Sequence, residues 1–171
     1  MIARSFMQAS TTTFLPTFTK METGNMWLAG AALTVFEAAG VLGVLVSGSA
    51  SDRFGRRVLV LLLLGAPLSL ILFVFSGGWF RLMGLAFTGA TLLSTTPIML
   101  AMVQEHAGEN PAAANGFYMM ISFGTRSAVV VAVGFIADHI GLHATYLVSA
   151  GLALTGLPFV LSLPEDVIEE E

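Results

Sequence analysis

Six long apolar runs, separated by short charged or glycine-rich segments, limit what this chain can fold into more than any other feature. The runs cover about residues 3–19, 27–48, 57–76, 79–103, 113–137 and 142–162. A helix that crosses a bilayer needs about 20 largely apolar residues, and backbone exposed to lipid must satisfy its own hydrogen bonds. The pattern therefore predicts an all-α integral membrane protein with six transmembrane helices.

Charged residues are too rare for this chain to cover itself with a hydrated surface. They make up 11% of its 171 residues, against about 25% in soluble domains. Five of the eleven acidic residues lie within 165–171, which we expect to form an acidic cytoplasmic tail. The chain has no basic face for nucleic acid, and without cysteine it has no thiolate metal site. We expect no cofactor.

The arginines and aromatic residues predict how the chain is oriented. Arg53, Arg56 and Arg57 lie in one short segment, and basic loops favour the cytoplasmic side. Six spans then place both termini in the cytoplasm of a multi-pass protein of the plasma or inner membrane, with Arg4 on the same side. Aromatic residues, typical of membrane interfaces, open the three spans that would begin outside: Trp27, Trp79 and Tyr146.

A short internal echo predicts two inverted repeats. GSASDRFG at 48–55 and GFIADHIG at 134–141 share the pattern Gly-x3-Asp-x2-Gly, and each follows the second span of a three-span group. Because three is odd, the second group crosses the membrane upside down, as in many secondary transporters. We expect a single six-helix domain, 1–164, built from repeats at about 1–76 and about 79–162.

Proline interrupts corresponding spans of the two groups. Pro16 ends TTTFLP in the first span, and Pro97 ends LLSTTP in the fourth. Proline removes a backbone donor and clashes one turn back, and paired interruptions in the two halves of a transporter indicate its substrate site. The alternative stays open that neighbouring helices and hydroxyl side chains simply accommodate these residues.

The segment GSASDRFGRR resembles the loop signature of the major facilitator superfamily, Gly-x3-Asp-Arg/Lys-x-Gly-Arg-Arg/Lys. The matching residues are Gly48, Asp52, Arg53, Gly55, Arg56 and Arg57. The resemblance implies two six-helix halves that move small solutes by rocker-switch alternating access, of which this chain would supply one. It also implies that Asp52 meets a helix N-terminus in the other half and locks one conformation; a topology anchor alone is the other interpretation.

The remaining sequence resembles the C-terminal half of such a transporter. The fifth span lacks the Gly-Pro pair of many antiporters, Arg81 and Gly84 lie one residue too close for the pattern expected early in the N-terminal half, and LPED leads into the short acidic tail. Within the superfamily the chain is similar to bacterial drug or metabolite exporters, including those of the fosmidomycin-resistance type. The resemblance implies that the first and fourth spans line the central cavity, although helix–helix hydrogen bonding explains their polar residues equally well. The cavity candidates are Gln8, Thr12, Pro16, Thr88, Thr91, Thr95 and Pro97.

Two charged residues lie at membrane depth, Glu37 in the second span and Arg126 in the fifth. At 1.5 Å per residue, both fall near the midplane, where an ionised side chain costs about 3 kcal/mol or more. In the functional interpretation Glu37 carries a proton, while Arg126 holds an anionic group or tunes the carboxylate. In the structural one they form a permanent buried pair or reach polar partners within this half.

The sequence thus predicts a half-transporter for a small solute, with proton-coupled efflux of a drug or metabolite as the expected activity. Its partners would be the solute, protons, the bilayer, and an N-terminal half or a second copy of the chain. An inactive or regulatory truncated transporter is the alternative. A membrane-embedded enzyme is a remote one, because all three histidines lie in predicted loops: His106, His139 and His143.

Overall fold

A computed structural model describes residues 2–54, 56–105, 107–108 and 110–158; within these, side chains are not described at 2–3, 49–54, 56–57 and 105. All regular secondary structure of the described residues is α-helical, as the sequence predicts. Five helices are assigned in this part of the chain: α1 (Ile2–Thr23), α2 (Met26–Phe54), α3 (Arg56–Phe75), α4 (Gly78–Glu105) and α5 (Pro111–Leu154).

Four of these helices contain a segment long and apolar enough to cross a membrane. The segments are Met26–Gly48, Val58–Phe75, Gly78–Gln104 and Pro111–Leu154. Among the described residues α1 has no such segment, because QASTTT and Lys20 make it more polar than the other helices. The chain is therefore an integral membrane protein with four candidate spans, and six spans remain a prediction.

The predicted fifth and sixth spans form one assigned helix that is interrupted at Gly141. Its φ of 79° and ψ of 160° are not helical, and only glycine adopts this region readily. Residues on the two sides of Gly141 contact nearly the same part of α1. Gly134 lies against Phe14, whereas Tyr146, twelve residues later, packs on Phe18, one turn further along α1. A straight helix would advance about 18 Å over twelve residues, so α5 changes direction at Gly141.

Close backbone contact joins α2 to α4. A Cβ at Gly43 would collide with the backbone of Ala90, and one at Gly89 would collide with the carbonyl of Phe36. Small residues that let helices approach this closely replace the hydrophobic driving force that is missing inside a membrane. Helix α3 also packs extensively on α4, and α1 packs extensively on α5, so α4 joins α2 to α3 while α1 joins α5.

The main core lies where α1, α3 and the last part of α5 meet. Bulky side chains fill it, and each is at most 2% exposed: Phe18, Leu70, Phe73 and Tyr146. The rings of Phe18, Phe73 and Tyr146 contact one another at centroid distances of 5.0–6.1 Å. This aromatic core fixes the end of the bundle at which α1 ends and α4 begins.

Helix α2 extends further than the sequence predicts. The hydropathy pattern ends the second span at Gly48, but α2 continues to Phe54 and α3 begins at Arg56. Polar residues follow Gly48, including serine and aspartate, and the helix continues through them to Phe54. The turn between α2 and α3 is accordingly shorter than the predicted loop.

Candidate functional site

Arg4, near the start of α1, reaches across to α4. Its Nη1 donates hydrogen bonds to Oγ1 of Thr95 at 3.1 Å and to Oγ1 of Thr96 at 2.7 Å. The hydroxyl of Thr95 donates in turn to the carbonyl of Leu92 at 2.7 Å, which leaves its lone pairs for the guanidinium. The hydroxyl-rich run before Pro97 therefore serves as an acceptor surface for a cation from another helix.

Arg126, on α5, makes an equivalent contact with α1. Its Nη2 donates to Oγ1 of Thr12 at 3.0 Å, and the hydroxyl of Thr12 donates to the carbonyl of Gln8 at 2.8 Å. Arg4, Gln8 and Thr12 are spaced four residues apart, so they form one stripe along α1. Arg4 thus lies on the same polar face of α1 that Arg126 contacts from α5.

Tyr118 completes this group of residues. Its side chain is 4% exposed, and its Oη is buried without a hydrogen-bond partner among the described residues. The Nε of Arg4 is buried and unpartnered in the same sense, and Tyr118 lies two turns before Arg126 on α5. We call these residues the arginine cluster: Arg4, Thr12, Thr95, Thr96, Tyr118 and Arg126.

A second polar group lies at the opposite end of α1. Both Nη1 and Nη2 of Arg81 donate to Oε2 of Glu22 at 3.2 Å, and Nε2 of His143 lies 2.8 Å from Oε1 of the same carboxylate. These contacts, with the hydrogen bond from His143 as the largest cause and that from Arg81 next, hold the pKa of Glu22 below its usual value. We call Glu22, Arg81 and His143 the carboxylate cluster.

Aromatic rings of the core contact the carboxylate cluster. The guanidinium carbon of Arg81 lies 5.1 Å from the ring centroid of Phe18 and 5.4 Å from that of Phe73, within the range of cation–π attraction. The ring of His143 contacts Phe18 edge-on at 4.8 Å. The cluster therefore ties α1, α4 and α5 together immediately above the aromatic core.

Glu37 lies at the centre of the candidate span Met26–Gly48, eleven residues from either end. It is exposed in this bundle, as is Thr34 one turn earlier. The predicted ion pair with Arg126 is not formed: among the described side chains, the ion pairs are those of Glu22 with Arg81 and His143. The reason is the packing, because α2 lies against α4 while α5 lies against α1.

The predicted cavity residues fall into two groups. Thr12 and Thr95 belong to the arginine cluster, with Gln8 half-buried on the same stripe as Thr12. Thr88 is buried and donates to Oγ of Ser69 at 3.0 Å on α3, so it serves helix packing. Thr91 donates to the carbonyl of Phe87 at 2.7 Å and lines an apolar groove of about 570 Å³ between α2, α3 and α4.

The two prolines lie inside unbroken helices. Pro16 is within α1 and Pro97 is within α4, and both are half-buried. Pro97 directly follows the two threonines that accept from Arg4. The two prolines therefore do not break the helices in which they lie.

The loop signature falls mostly outside the described residues. Gly48 is exposed on α2. Gly55 is not described, and α2 and α3 include the other positions without their side chains: Asp52, Arg53, Arg56 and Arg57. The proposed lock by Asp52 and the anchoring by the arginines stay predictions, as does the acidic tail at 165–171.

Sequence reasoning missed the second cation of the arginine cluster. In the sequence, Arg4 indicates only how the chain is oriented in the membrane, although Arg4 lies one turn before Gln8 and two turns before Thr12 on the same helical face. That spacing of four residues was the available signal. The hydroxyl of Thr96 and the ring of Tyr118 had no such signal, because their contacts join residues about 90 to 110 positions apart.

Comparison with known proteins agrees with these helices. The model of the Major Facilitator Superfamily matches residues 1–171, so the chain belongs to this superfamily of membrane transporters. It is similar to the uncharacterized MFS-type transporter YfnC of Bacillus subtilis (strain 168), with 31% identity over 154 residues. The match covers 88% of the chain but 37% of YfnC. No solved structure gives a significant match.

Proposed function

We propose that this chain forms the C-terminal six-helix half of a secondary transporter, which exports a small solute by proton-coupled alternating access. Superfamily membership supports transport across a membrane, and the chain spans little more than a third of the similar transporter. The direction of transport, the proton and the assignment to the C-terminal half are parts of this proposal.

The observation that carries the proposal is the position of Glu37. An ionisable side chain at the centre of a membrane span costs about 3 kcal/mol if it faces lipid. Glu37 is nevertheless exposed on the isolated bundle at the midpoint of Met26–Gly48. A carboxylate in that place needs water or protein against it, which a central cavity beside the other half would provide. There it would take up and release a proton as the cavity opens to either side.

The helix pairing supports the inverted repeat on which alternating access relies. If α1, α2 and α3 correspond to α4 and to the two parts of α5, the repeat exchanges the pair α2–α4 with the pair α1–α5. In the structure α4 packs on both α2 and α3, and α1 contacts both parts of α5. The two proline-containing helices, α1 and α4, also correspond under this exchange.

The test is transport by a complete transporter assembled from this chain and an N-terminal half in proteoliposomes. We expect Glu37→Gln to lower solute-driven proton movement at least about tenfold, because the amide cannot carry a proton at any accessible pH. Glu37→Asp retains the carboxylate and should retain coupling. Thr34→Val, on the same exposed face, is the matched control for loss of a polar group.

Transport with an unchanged rate and an unchanged pH dependence in Glu37→Gln would remove Glu37 from coupling. Loss of transport in Thr34→Val as well as in Glu37→Gln would indicate a general requirement for polarity on this face rather than a proton carrier. Solute flux that persists without proton movement in Glu37→Gln would support the proposed role directly.

A further inference from the structure

We propose that the arginine cluster is a binding site for an anionic group, such as a carboxylate or a phosphate, on the transported solute. That the anion belongs to a transported solute rests on the proposed function, whereas the binding of an anion at this site does not. The site combines two guanidinium groups on different helices with three threonine hydroxyls that accept from them, Thr12, Thr95 and Thr96, and with the unpartnered hydroxyl of Tyr118.

The first argument is charge. Arg4 and Arg126 are both cations, and each touches only neutral hydroxyl groups among the side chains that the structure describes. Arg126 contacts the face of α1 on which Arg4 lies, so two like charges share this face and repel. Cations at membrane depth are found paired or coordinating a ligand, because an unpaired one is costly. An anion placed between them would remove both penalties.

The second argument is the number of donors left over. A guanidinium group has five N–H donors in a fixed fork, but Nη1 makes both hydrogen bonds of Arg4 and Nη2 makes the one of Arg126. The Nε of Arg4 is buried without a partner. Oxygen atoms of a carboxylate or phosphate accept from two nitrogens of such a fork at once, so the unused donors match this ligand chemistry.

The third argument is Tyr118. Its hydroxyl is buried and unpartnered although the side chain is 4% exposed, and a buried polar group without a partner calls for an explanation. A phenolic O–H donates to an anion as readily as to any other acceptor. Tyr118 lies two turns before Arg126 on α5, the helix that contacts the polar face of α1 through Arg126 and Thr12, so its hydroxyl lies in the same part of the bundle.

The threonines explain how the cluster persists when it is empty. The hydroxyls of Thr12 and Thr95 donate to carbonyls of their own helices, so they present lone pairs to the arginines and hold them in place. Hydroxyls supply no negative charge, however, and a ligand anion would outcompete them as the stronger acceptor. The site is therefore positioned in advance and still has capacity for a ligand.

The experiment is equilibrium binding of radiolabelled inorganic phosphate to the purified full chain in neutral detergent, with acetate as the carboxylate competitor. We expect saturable binding that falls roughly tenfold or more in Arg4→Gln and in Arg126→Gln, the loss that follows when one charge-assisted contact is removed. Arg4→Lys retains the charge but not the fork and should lose less. Glycerol, of similar size but neutral, should not compete.

Two matched controls guard against a merely structural effect. Tyr118→Phe should weaken phosphate binding without lowering stability, whereas Tyr146→Phe, which removes the other buried unpartnered tyrosine hydroxyl, should leave binding unchanged. Arg81→Gln removes an arginine from the carboxylate cluster and should also leave binding unchanged. Equal binding by the wild type and both arginine-cluster variants, in folded protein, would overturn the proposal, as would equal losses in Arg81→Gln.

A lipid headgroup could supply the same chemistry as a soluble anion. The chain reconstituted in phosphatidylcholine vesicles should bind phosphate, and added phosphatidylglycerol should not displace it if the site takes a soluble anion. Displacement of phosphate, dependent on Arg4 and Arg126, would assign the anion site to a lipid and overturn the solute assignment. Phosphate binding that requires the arginines, in a complete transporter of this chain and an N-terminal half that supports no transport, would contradict the proposed function alone. Transport indifferent to Arg4 and Arg126 would contradict this inference alone.

Discussion

The carboxylate cluster and the arginine cluster use the same cation in opposite ways. At one end of α1, Arg81 is matched by the carboxylate of Glu22 and stacks over two aromatic rings. Near the other end, Arg4 meets two threonine hydroxyls and keeps a buried nitrogen without a partner. An arginine with an acid and aromatic support fastens helices together, whereas one with spare donors and no acid is available to a ligand.

The same contrast applies to the two buried tyrosines. Tyr146 is 1% exposed and lies among the rings of Phe18 and Phe73, so its ring does the packing. Tyr118 is 4% exposed, and its hydroxyl is buried without a partner near the arginine cluster instead. Aromatic packing makes the carboxylate-cluster end of the bundle rigid, and polar contacts that a ligand could replace characterise the other end.

The largest expected effect is a difference in stability between two arginine variants, because the two substitutions should change the free energy of unfolding in opposite directions. Arg81→Gln removes the ion pair and the cation–π contacts, and we expect it to lower the free energy of unfolding in detergent by about 1–2 kcal/mol. Arg4→Gln removes a cation that has no acid beside it, and glutamine can still donate to the threonines, so stability should be unchanged or rise by up to about 1 kcal/mol. Thermal unfolding of both variants in anion-free buffer measures the difference; destabilisation of Arg4→Gln equal to that of Arg81→Gln would contradict it.

A smaller effect concerns pH at the carboxylate cluster. Because the pKa of Glu22 is lower in the folded chain, its stabilising contribution is present above the unfolded-state pKa of about 4.3. That contribution is lost as the pH falls through the folded-state pKa. The Tm of the wild type should therefore exceed that of Glu22→Gln at pH 7, and the gap should close below about pH 4. The gap is modest because the side chain of Glu22 is 34% exposed and solvent screens its charge.

The groups that face Glu22 are Arg81 from α4 and His143 from α5. The same scan on His143→Gln separates the imidazole from the guanidinium, since that variant keeps the ion pair with Arg81. A Tm gap between wild type and Glu22→Gln that is constant from pH 7 to pH 3 would show that the carboxylate contributes no charge-dependent stability.

Hydropathy predicted much of the fold because a membrane span is defined by length and apolarity alone. The predicted bounds of the second, third and fourth spans lie within one residue of the candidate spans in the structure. The predicted second span ends at Gly48, as the candidate span does, but helix α2 continues to Phe54, because helical hydrogen bonds do not end where the apolar run does. The hydropathy pattern also predicted α1 as a membrane span like the others, although its threonines and Gln8 make that helix more polar.

The candidate site was less predictable because its contacts are long-range. The sequence singled out Arg126, Thr12 and Thr95, since charge and hydroxyl groups within apolar runs are conspicuous. It could not show that Arg4 crosses to Thr95 or that Glu37 and Arg126 lie on helices packed in different pairs. Such pairings depend on how α1 packs on α4 and α5, which no local pattern encodes.

The most direct test of the central claim is to give the arginine cluster the acid that it lacks. Thr96→Asp places a carboxylate where a hydroxyl now accepts from Arg4 at 2.7 Å, and Thr96→Asn is its neutral, similarly sized control. We predict that Thr96→Asp raises the Tm of the full chain in anion-free buffer and abolishes phosphate binding, while Thr96→Asn does neither. A Thr96→Asp chain that is no more stable than Thr96→Asn and still binds phosphate would contradict the claim that this cluster is a cationic site awaiting an anion.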